Sequence, residues 1–434
     1  MAEVQCLRIG EVCSIEKGTT GLAQAVPGKY PLVATSAERK SSKDYQFDAK
    51  AICIPLVSST GHGKKTLNYV HYQEGKFALG SILAALIPKD ESALSARYLH
   101  AYLQKNKDRV LVPLMKGAAN VSLSVTAISN IEIPLPSIKE QEEILEKIDS
   151  ISKEHAAFLS EINIQSNLID KLRQIVLQEA IEGKLTAEWR KQNPKLISGE
   201  NHASKLLEKI QVEKDRLIKN GKMRKEKQLS SIVTDDKLLQ FPNGWVRCRL
   251  GEVTELLMGQ SPDGLSYNTV GEGVPLVNGP VEFGGMGPFE RTLAIKFTTQ
   301  PTKMCREGDL LLCVRGSTTG RTNIAGYDSC IGRGVAAIRP IFIERIFLNY
   351  LILSYRYNFY DLGTGSTFPN ISQDKITNFK ISLPSIIEQQ IISQRVSRLM
   401  QNIDELENQV SKSNNQSEML MRSVIKEAFE RNIR

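Results

Sequence analysis

Two stretches of the chain place an apolar residue at alternating spacings of four and three, which is the pattern of helices that pair along a seam. At about 1.5 Å per residue, each predicted helix is roughly 65 Å long. A polar residue on the first seam, His155, is open to two interpretations, a functional site or a residue that sets the register, and we favour register. The seam positions are Ile144, Ile148, Ile151, His155, Phe158, Ile162, Gln165, Ile169, Leu172 and Val176, then Ile392, Val396, Leu399, Ile403, Leu406, Val410, Ser413, Ser417, Leu420 and Val424.

The start of each helix carries the signature of a capping box, in which a serine hydroxyl caps the first turn and a glutamate three residues on reaches back to the backbone. Ser137 with Glu140 predicts this arrangement for the first helix, and Ser385 with Glu388 predicts it for the second. Gly183 is a suitable residue to follow the end of the first helix.

The two helices belong to a tandem duplication of the whole chain. Residues 117–182 align without a gap to residues 365–430, with 18 identities in 66 pairs. Residues 242–364 repeat the beginning of the chain less faithfully, through pairs such as 9–12 with 250–253. Both globular stretches mix short apolar runs, typical of buried strands, with helical spacing, as in residues 51–57 and 95–104. We therefore predict an α+β fold in which two mixed α/β domains are separated by two long helices that form an antiparallel coiled coil, related by a pseudo-two-fold internal repeat.

The domain boundaries follow from the same alignment. We predict a first globular domain, a first long helix, a basic connector that contains a helix, a second globular domain and a second long helix, over residues 1–136, 137–183, 184–241, 242–384 and 385–434.

Composition and charge restrict the class of protein. The 434 residues carry a net charge of +8, and 41% hydrophobic and 24% charged residues are ordinary for a globular protein. Basic residues are in excess in residues 1–116 and 183–241, which suggests a polyanionic partner for part of the surface.

Seven cysteines without a C-x-x-C pair indicate free thiols in a reducing compartment. Without a signal peptide or an apolar run that could span a bilayer, we expect a cytoplasmic protein with no membrane contact.

Two loops at corresponding places in the repeat combine hydroxyl groups, glycines and cations, which suit contact with phosphates or base edges. Neither loop is a Walker loop, and a surface turn without function is the alternative for each. A basic helix over residues 203–228 is open to the same two interpretations, a solvated helix with internal ion pairs or a surface that faces phosphates or a partner. The candidate DNA-binding residues are Ser59, Thr60, Lys64 and Lys65 in the first loop and Arg315, Ser317, Thr318, Thr319 and Arg321 in the second.

These features together resemble the specificity subunit of type I restriction–modification enzymes. The domain–helix–domain–helix order carries the resemblance, as do three motifs: Pro-Leu-Pro-Ser-Ile-Lys-Glu-Gln at 134–141 with its repeat at 384–389, Gly-Lys-Leu-Thr-Ala-Glu-Trp-Arg at 183–190, and Pro-Asn-Gly-Trp at 242–245. The first domain lacks the Pro-x-Gly-Trp opening, so its N-terminal edge is less well defined than that of the second.

The resemblance implies that each domain reads one half of a bipartite double-stranded DNA target, that the helices set the spacer, and that the chain docks two adenine methyltransferase subunits and restriction–translocase subunits in host defence. It also implies a subunit without catalysis, cofactor or metal. In agreement, the sequence contains no adenine methyltransferase motif, dinucleotide fingerprint or His/Cys metal cluster. Two alternatives from other classes are a coiled-coil protein-interaction scaffold that does not bind DNA and a single-chain restriction or methyl-transfer enzyme.

Overall fold

The computed structural model describes residues 5–60, 63–118, 120–223, 241–285, 287, 289–363 and 370–430. The chain divides into two compact units, one formed by residues up to 165 together with residues from 410 onward, the other by residues 166–409. Both units contain a globular α/β part and portions of two long helices. We describe each unit by itself.

The first unit contains two four-stranded sheets and a two-stranded ribbon. The sheet orders are β2-β9-β6-β7 and β4-β3-β8-β5, and β1 pairs with β10 in the ribbon. Neighbouring strands are antiparallel except β3 and β8, which run parallel. The elements are β1 (Gln5–Arg8), α1 (Ile9–Val12), β2 (Cys13–Lys17), β3 (Tyr30–Val33), β4 (Lys40–Ser42), β5 (Phe47–Asp48), β6 (Ala51–Pro55), β7 (His71–Gln73), β8 (Lys76–Leu79), β9 (Leu83–Pro88), α2 (Ala96–Val110), α3 (Val125–Ser129), β10 (Glu132–Leu135) and α4 (Ile138–Ile181).

The second unit repeats this topology. Its sheets have the orders β12-β20-β17-β18 and β13-β15-β14-β19-β16, β11 pairs with β21, and the parallel pair is β14 with β19. The strand β13 is the addition relative to the first unit. The elements are α5 (Ala187–Gln192), α6 (Ala203–Lys219), β11 (Val246–Arg249), α7 (Leu250–Val253), β12 (Thr254–Met258), β13 (Tyr267–Asn268), β14 (Val274–Val277), β15 (Phe297–Thr298), β16 (Met304–Cys305), β17 (Leu310–Cys313), β18 (Thr322–Ile324), β19 (Ser329–Ile331), β20 (Val335–Pro340), α8 (Arg345–Ser354), α9 (Arg356–Asp361), α10 (Gln373–Thr377), β21 (Lys380–Leu383) and α11 (Ile386–Glu430).

The predicted correspondence of the two halves is confirmed strand by strand. In the first unit Val33 lies opposite Leu79 on the parallel strands, and in the second unit Val277 lies opposite Ile331. Two pairs of neighbouring alanines also take equivalent places, since Ala84 and Ala85 belong to β9 and Ala336 and Ala337 to β20. The α+β fold with its internal repeat therefore follows from the sequence alignment.

The two long helices, α4 and α11, are confirmed and run antiparallel. In the first unit, Ile144 near the start of α4 shares a core with Phe429 near the end of α11. In the second unit, Arg173 in the last part of α4 forms ion pairs with Asp404 and with Glu407, the latter at 2.7 Å. The helix α4 ends as predicted, because Gly183 has a φ of +71° and the amide of Lys184 donates to the carbonyl oxygen of Glu179.

The predicted seam is buried or half-buried at most of its positions, including Val176 and Val424 near the two helix ends, and is wrong at four exposed positions, Leu172, Leu406, Ser413 and Leu420. Leu172 is 40% exposed, Leu406 is 46% exposed and Leu420 is 66% exposed. A straight helix of 3.6 residues per turn drifts by about 20° per heptad relative to a 3.5-residue repeat. Asn414 and Met421, each one residue beyond an exposed seam position, are half-buried, and so are the seam residues Ser417 and Val424.

The connector differs from its prediction in extent. The basic helix α6 begins at Ala203 as expected but ends at Lys219, and residues 224–228 of the predicted helix lie outside the described residues. Two of its cations form ion pairs within the helix, Lys205 with Glu208 and Arg216 with Glu213. Lys214 is buried and donates to the carbonyl oxygens of Gly251 and Thr254, which fixes the helix to the second globular part.

Candidate nucleic-acid interface

The two candidate loops begin at equivalent points of the repeated fold. In the first unit the loop follows β6, where Val57 forms an isolated bridge with Ser122. In the second unit it follows β17, where Arg315 forms an isolated bridge with Asn370. Since Ser122 and Asn370 are 248 residues apart, the offset of the long alignment, the loops are structural counterparts.

The loop of the first unit is closed by its own hydroxyl groups. The Oγ of Ser58 donates to the carbonyl oxygen of Lys64 at 2.5 Å, and the Oγ1 atoms of Thr60 and Thr66 are 2.8 Å apart. The Oγ of Ser59 accepts from the amide of Asn68 at 2.9 Å. Because these bonds hold the backbone, Lys64 and Lys65 project into solvent from a defined turn. Two further loop residues, 61 and 62, lie outside the described residues.

The loop of the second unit is a tight turn between β17 and β18. The Oγ1 of Thr319 donates to the carbonyl oxygen of Gly316 at 2.7 Å, and the amide of Gly320 donates to the carbonyl oxygen of Cys313 at 2.8 Å. Gly320 has a φ of +87°, and a Cβ atom there would lie 2.7 Å from the carbonyl oxygen of Arg356. Glycine is therefore required at this position.

The candidate residues of this second loop divide into an outer and an inner group. Arg315 and Ser317 are exposed, whereas Thr319 is only 3% exposed. Arg321 folds inward: its guanidinium lies 5.4 Å from the centre of the Phe283 ring and donates to the carbonyl oxygen of Gly285 at 2.6 Å. Arg321 and Thr319 thus stabilise the loop, a role that the sequence pattern did not indicate.

Cys313, the last residue of β17 before this loop, is buried. Burial raises the pKa of its thiol to about 12, and a hydrogen bond from Thr318 has a smaller, lowering effect on that pKa. A thiol with a raised pKa is a poor nucleophile and metal ligand. Among the described residues, no group of three or more His, Cys, Asp or Glu side chains is arranged to hold a metal ion. The arrangement suits the display of cations and hydroxyl groups.

Each globular part is attached to a long helix by a buried glutamine, the last residue of the motif at 134–141 and of its repeat at 384–389. The Oε1 of Gln141 accepts from the amide of Ser95 at 2.9 Å, and its Nε2 donates to the carbonyl oxygens of Ala93 and Pro136. Ser95 is the residue that caps α2. The glutamine at the start of α4 therefore fixes the beginning of a helix in the globular part.

The second repeat has the same attachment. The Oε1 of Gln389 accepts from the amide of Glu344, the residue that caps α8, at 2.9 Å, and its Nε2 donates to the carbonyl oxygen of Pro384 at 3.0 Å. Gln141 and Gln389 are both fully buried. The signal for this role was present in the sequence, since Gln is one of the identical positions of the repeat.

The predicted capping boxes have different outcomes. In the first, the Oε2 of Glu140 accepts from the amide and the hydroxyl of Ser137 at 2.8 and 2.7 Å, as expected. In the second, the amide of Glu388 donates to the Oγ of Ser385 at 3.2 Å, but the carboxylate turns away from its own helix start. The capping box predicted for Ser385 and Glu388 is therefore wrong in its glutamate half, because stronger donors compete for that carboxylate.

The stronger donors come from the other two motifs. The Oε1 of Glu388 accepts from the Oγ1 of Thr186 and the guanidinium of Arg190, both at 2.6 Å, and its Oε2 accepts from the indole N–H of Trp245 at 2.8 Å. We call these four residues the Glu388 cluster. It connects the connector, the entry to the second globular part and the start of α11.

The structure thus contains two domains of one topology, each fixed to a long helix through the same buried glutamine and each displaying a loop at the same place. A family model described as type I restriction modification DNA specificity domain matches residues 1–165 and 242–413, which is more than half of the chain. The chain belongs to this family, the specificity subunits of type I restriction–modification enzymes, and its globular parts are target recognition domains.

Individual relatives agree with this assignment. The chain is 26% identical over 361 residues to a putative type I restriction enzyme MjaX specificity subunit from Methanocaldococcus jannaschii. The alignment covers 82% of this chain and 72% of the relative. It is 34% identical over 145 residues to the type I restriction enzyme EcoBI specificity subunit of Escherichia coli, which covers 33% of this chain and 30% of the relative.

Solved structures show the same fold. A chain from a study of complex assembly and conformational transition of the type I R-M system aligns with a TM-score of 0.64 and 20% identity, over 99% of this chain and 98% of that chain. The HsdS subunit from Thermoanaerobacter tengcongensis aligns with a TM-score of 0.55 and 19% identity, over 99% of this chain and 97% of that chain. Within the described part of the chain, no helix is both long and apolar enough to cross a membrane.

Proposed function

We propose that this chain is the non-catalytic DNA sequence-recognition subunit of a type I restriction–modification complex in the cytoplasm. Each target recognition domain reads one half of a bipartite double-stranded DNA target. The observation that carries the proposal is the pair of equivalent loops, each closed by internal hydrogen bonds: the first presents two exposed lysines and the second presents the exposed Arg315. An arginine can bind a guanine edge bidentately and a lysine can neutralise a phosphate.

The exposed side chains are the strongest candidates for DNA contact. Lys64, Lys65, Arg315 and Ser317 project from the loops, and Thr60 is exposed beside them. For Ser59, Thr318, Thr319 and Arg321, contact with DNA stays a prediction, and each has or can have a second role within its loop. Alanine at Arg315 should cost about 1–3 kcal/mol of binding free energy and relax one base position, whereas alanine at Lys64 should weaken binding to all sequences alike.

The long helices set the spacer and dock the partner subunits. The support for a fixed spacer is the gapless register of residues 117–182 with 365–430, which has no insertion where the globular parts have several. A cleft of about 1350 Å³ in the second unit, lined by Arg173 and Glu407 of the long helices and by Phe289, Tyr350 and Tyr357 of the recognition domain, offers a docking surface. We assign it to one of two adenine methyltransferase subunits, which the restriction–translocase subunits join.

A domain exchange tests half-site reading. Residues 242–386 would be replaced by the matching segment of a relative of different specificity, and the methylated sites would be sequenced in cells that also express the methyltransferase subunit. We expect one half of the methylated motif to change. A change in both halves, or in neither, contradicts the proposal. The unexchanged chain is the control: if it directs no sequence-specific methylation and shows no salt-dependent DNA binding, the protein-interaction scaffold is the better assignment.

A heptad insertion tests the spacer. Seven residues nearly restore the helical seam and displace the far end by roughly 10 Å, about three base pairs. Insertions after Ile162 and Val410, which are equivalent positions, should leave both half-sites unchanged and lengthen the spacer, or abolish methylation if the methyltransferase can no longer dock. Full activity at the original spacing shows that the helices do not set the distance.

A further inference from the structure

The Glu388 cluster contains a fully buried carboxylate whose donors come from separate parts of the chain. Thr186 and Arg190 belong to the connector, and Trp245 directly precedes β11 of the second recognition domain. Thr186 and Glu388 are fully buried, Trp245 is 6% exposed, and the Arg190 side chain is 11% exposed. A buried carboxylate is stable only when its oxygens are paired, and here both oxygens have donors within 2.8 Å.

The three donors of the Glu388 carboxylate also hold one another in place. The guanidinium of Arg190 also donates to the Oγ1 of Thr186 at 2.8 Å and lies 5.8 Å from the centre of the Trp245 ring, so the donors contact each other as well as the carboxylate. Glu388 lies in the first turn of α11, where the helix dipole favours a negative charge. Moving any one segment by about 1 Å would lengthen its bond to the carboxylate beyond hydrogen-bond distance.

The first repeat has the same glutamate without this arrangement. Glu140 is exposed, and its carboxylate is used to cap its own helix. At the offset of 241 that aligns the starts of the two domains, the position opposite Trp245 is Val4, whose side chain has no hydrogen-bond donor. The cluster is therefore an addition to the second recognition domain, beyond the glutamine attachment that both domains share.

We infer that Glu388 is a positioning residue for DNA recognition: through Trp245, Thr186 and Arg190 it fixes the orientation of the second target recognition domain on α11. The inference rests on the proposed function. Glu388 lies in the helix motif rather than in a recognition loop, so its loss leaves the base contacts of the domain intact. Its loss instead broadens the set of spacers at which the second half-site is accepted.

The test compares full-length variants co-expressed with the methyltransferase subunit, with the methylated sites sequenced. Glu388→Gln keeps the size of the side chain and removes the charge, and Trp245→Phe keeps the ring and removes only the indole donor. We expect unchanged half-sites and an increase of about tenfold in the fraction of methylated sites whose spacer differs by one base pair, the effect of losing one hydrogen bond to a charged group. Glu140→Gln is the matched control and should leave the spacer distribution unchanged.

The outcomes separate the two proposals. If the wild-type chain directs no methylation of a bipartite target, the proposed function fails, and the inference fails with it. If the wild type does so and both variants keep its spacer distribution, or lose methylation equally at all sites, the cluster is a folding element only and the positioning role is wrong. Trp245→Phe keeps the test decisive if Glu388→Gln does not fold, since it leaves the ion pair of Glu388 with Arg190 in place.

Discussion

In the two copies of the Pro-Ser-Ile-x-Glu-Gln motif, the glutamines make the same contact and the glutamates make different ones. Gln141 and Gln389 bind the start of a recognition-domain helix in the same way, fully buried in both copies. Glu140 remains an exposed helix cap, while Glu388 is buried against three donors from distant segments. The identity of a residue across a repeat therefore indicates a shared role only where its surroundings are repeated as well.

The largest difference is expected when the two glutamates are removed. Glu388→Ala leaves the guanidinium of Arg190 buried without its carboxylate, which should lower the free energy of unfolding by about 3–5 kcal/mol. Glu140→Ala removes an exposed cap and should have a far smaller effect. Chemical denaturation followed by circular dichroism measures both. Equal losses for the two variants would show that the burial of Glu388 has no energetic consequence.

The glutamines should behave alike. Gln141→Ala and Gln389→Ala each leave a half-buried amide and a buried proline carbonyl oxygen without a partner, at a cost of about 1–3 kcal/mol. The amides of Ser95 and Glu344 should also lose protection from hydrogen exchange, which mass spectrometry of peptides covering the starts of α2 and α8 would detect. Gln174→Ala, an exposed position on α4, serves as a control. Loss of protection in only one domain would contradict the shared attachment.

A third comparison concerns the seam positions His155 and Ile403, which are 248 residues apart. Ile403 is 3% exposed, whereas the Nε2 of His155 is buried without a hydrogen-bond partner among the described residues. His155→Ile should therefore raise the free energy of unfolding by about 1 kcal/mol. If His155 sets the register, as predicted, the variant should also form mixed oligomers by light scattering. A more stable monomer would indicate that register is specified elsewhere.

Periodic patterns and the repeat predicted most of the fold, because helices of this length and strands in equivalent halves are encoded locally. The start of α4 at Ile138 and the turn at Gly183 follow from capping residues in the sequence. The exposure of Leu420 could not be predicted from a strict heptad, because a helix of 3.6 residues per turn does not follow a 3.5-residue repeat at every position.

The candidate site was predictable to a smaller extent. The two loops begin at equivalent points of the fold, as the repeat predicted, but Arg315 is exposed whereas Arg321 is half-buried. Only the position of Phe283 and Gly285, supplied by a distant segment, turns Arg321 inward. In the same way, nothing near Glu388 in sequence indicates that Trp245 and Arg190 will lie beside it. Contacts between distant segments decide these roles.

The smallest expected effect distinguishes the two glutamates by pH. Hydrogen bonds from the hydroxyl and the amide of Ser137 hold the pKa of Glu140 below its usual range. A carboxyl group whose pKa is lower in the folded than in the unfolded state stabilises the fold at pH values above the unfolded pKa, about 4.3. It loses that contribution as the pH falls through the folded pKa.

A carbon-13 titration of Glu140 should show the lowered pKa, and Ser137→Ala should raise it toward the usual range. Because the group is exposed, high salt should leave the hydrogen-bonded part of the shift in place. A pKa that is unchanged in Ser137→Ala would mean that the capping box of the first helix does not persist in solution, and the contrast with Glu388 would then concern burial alone.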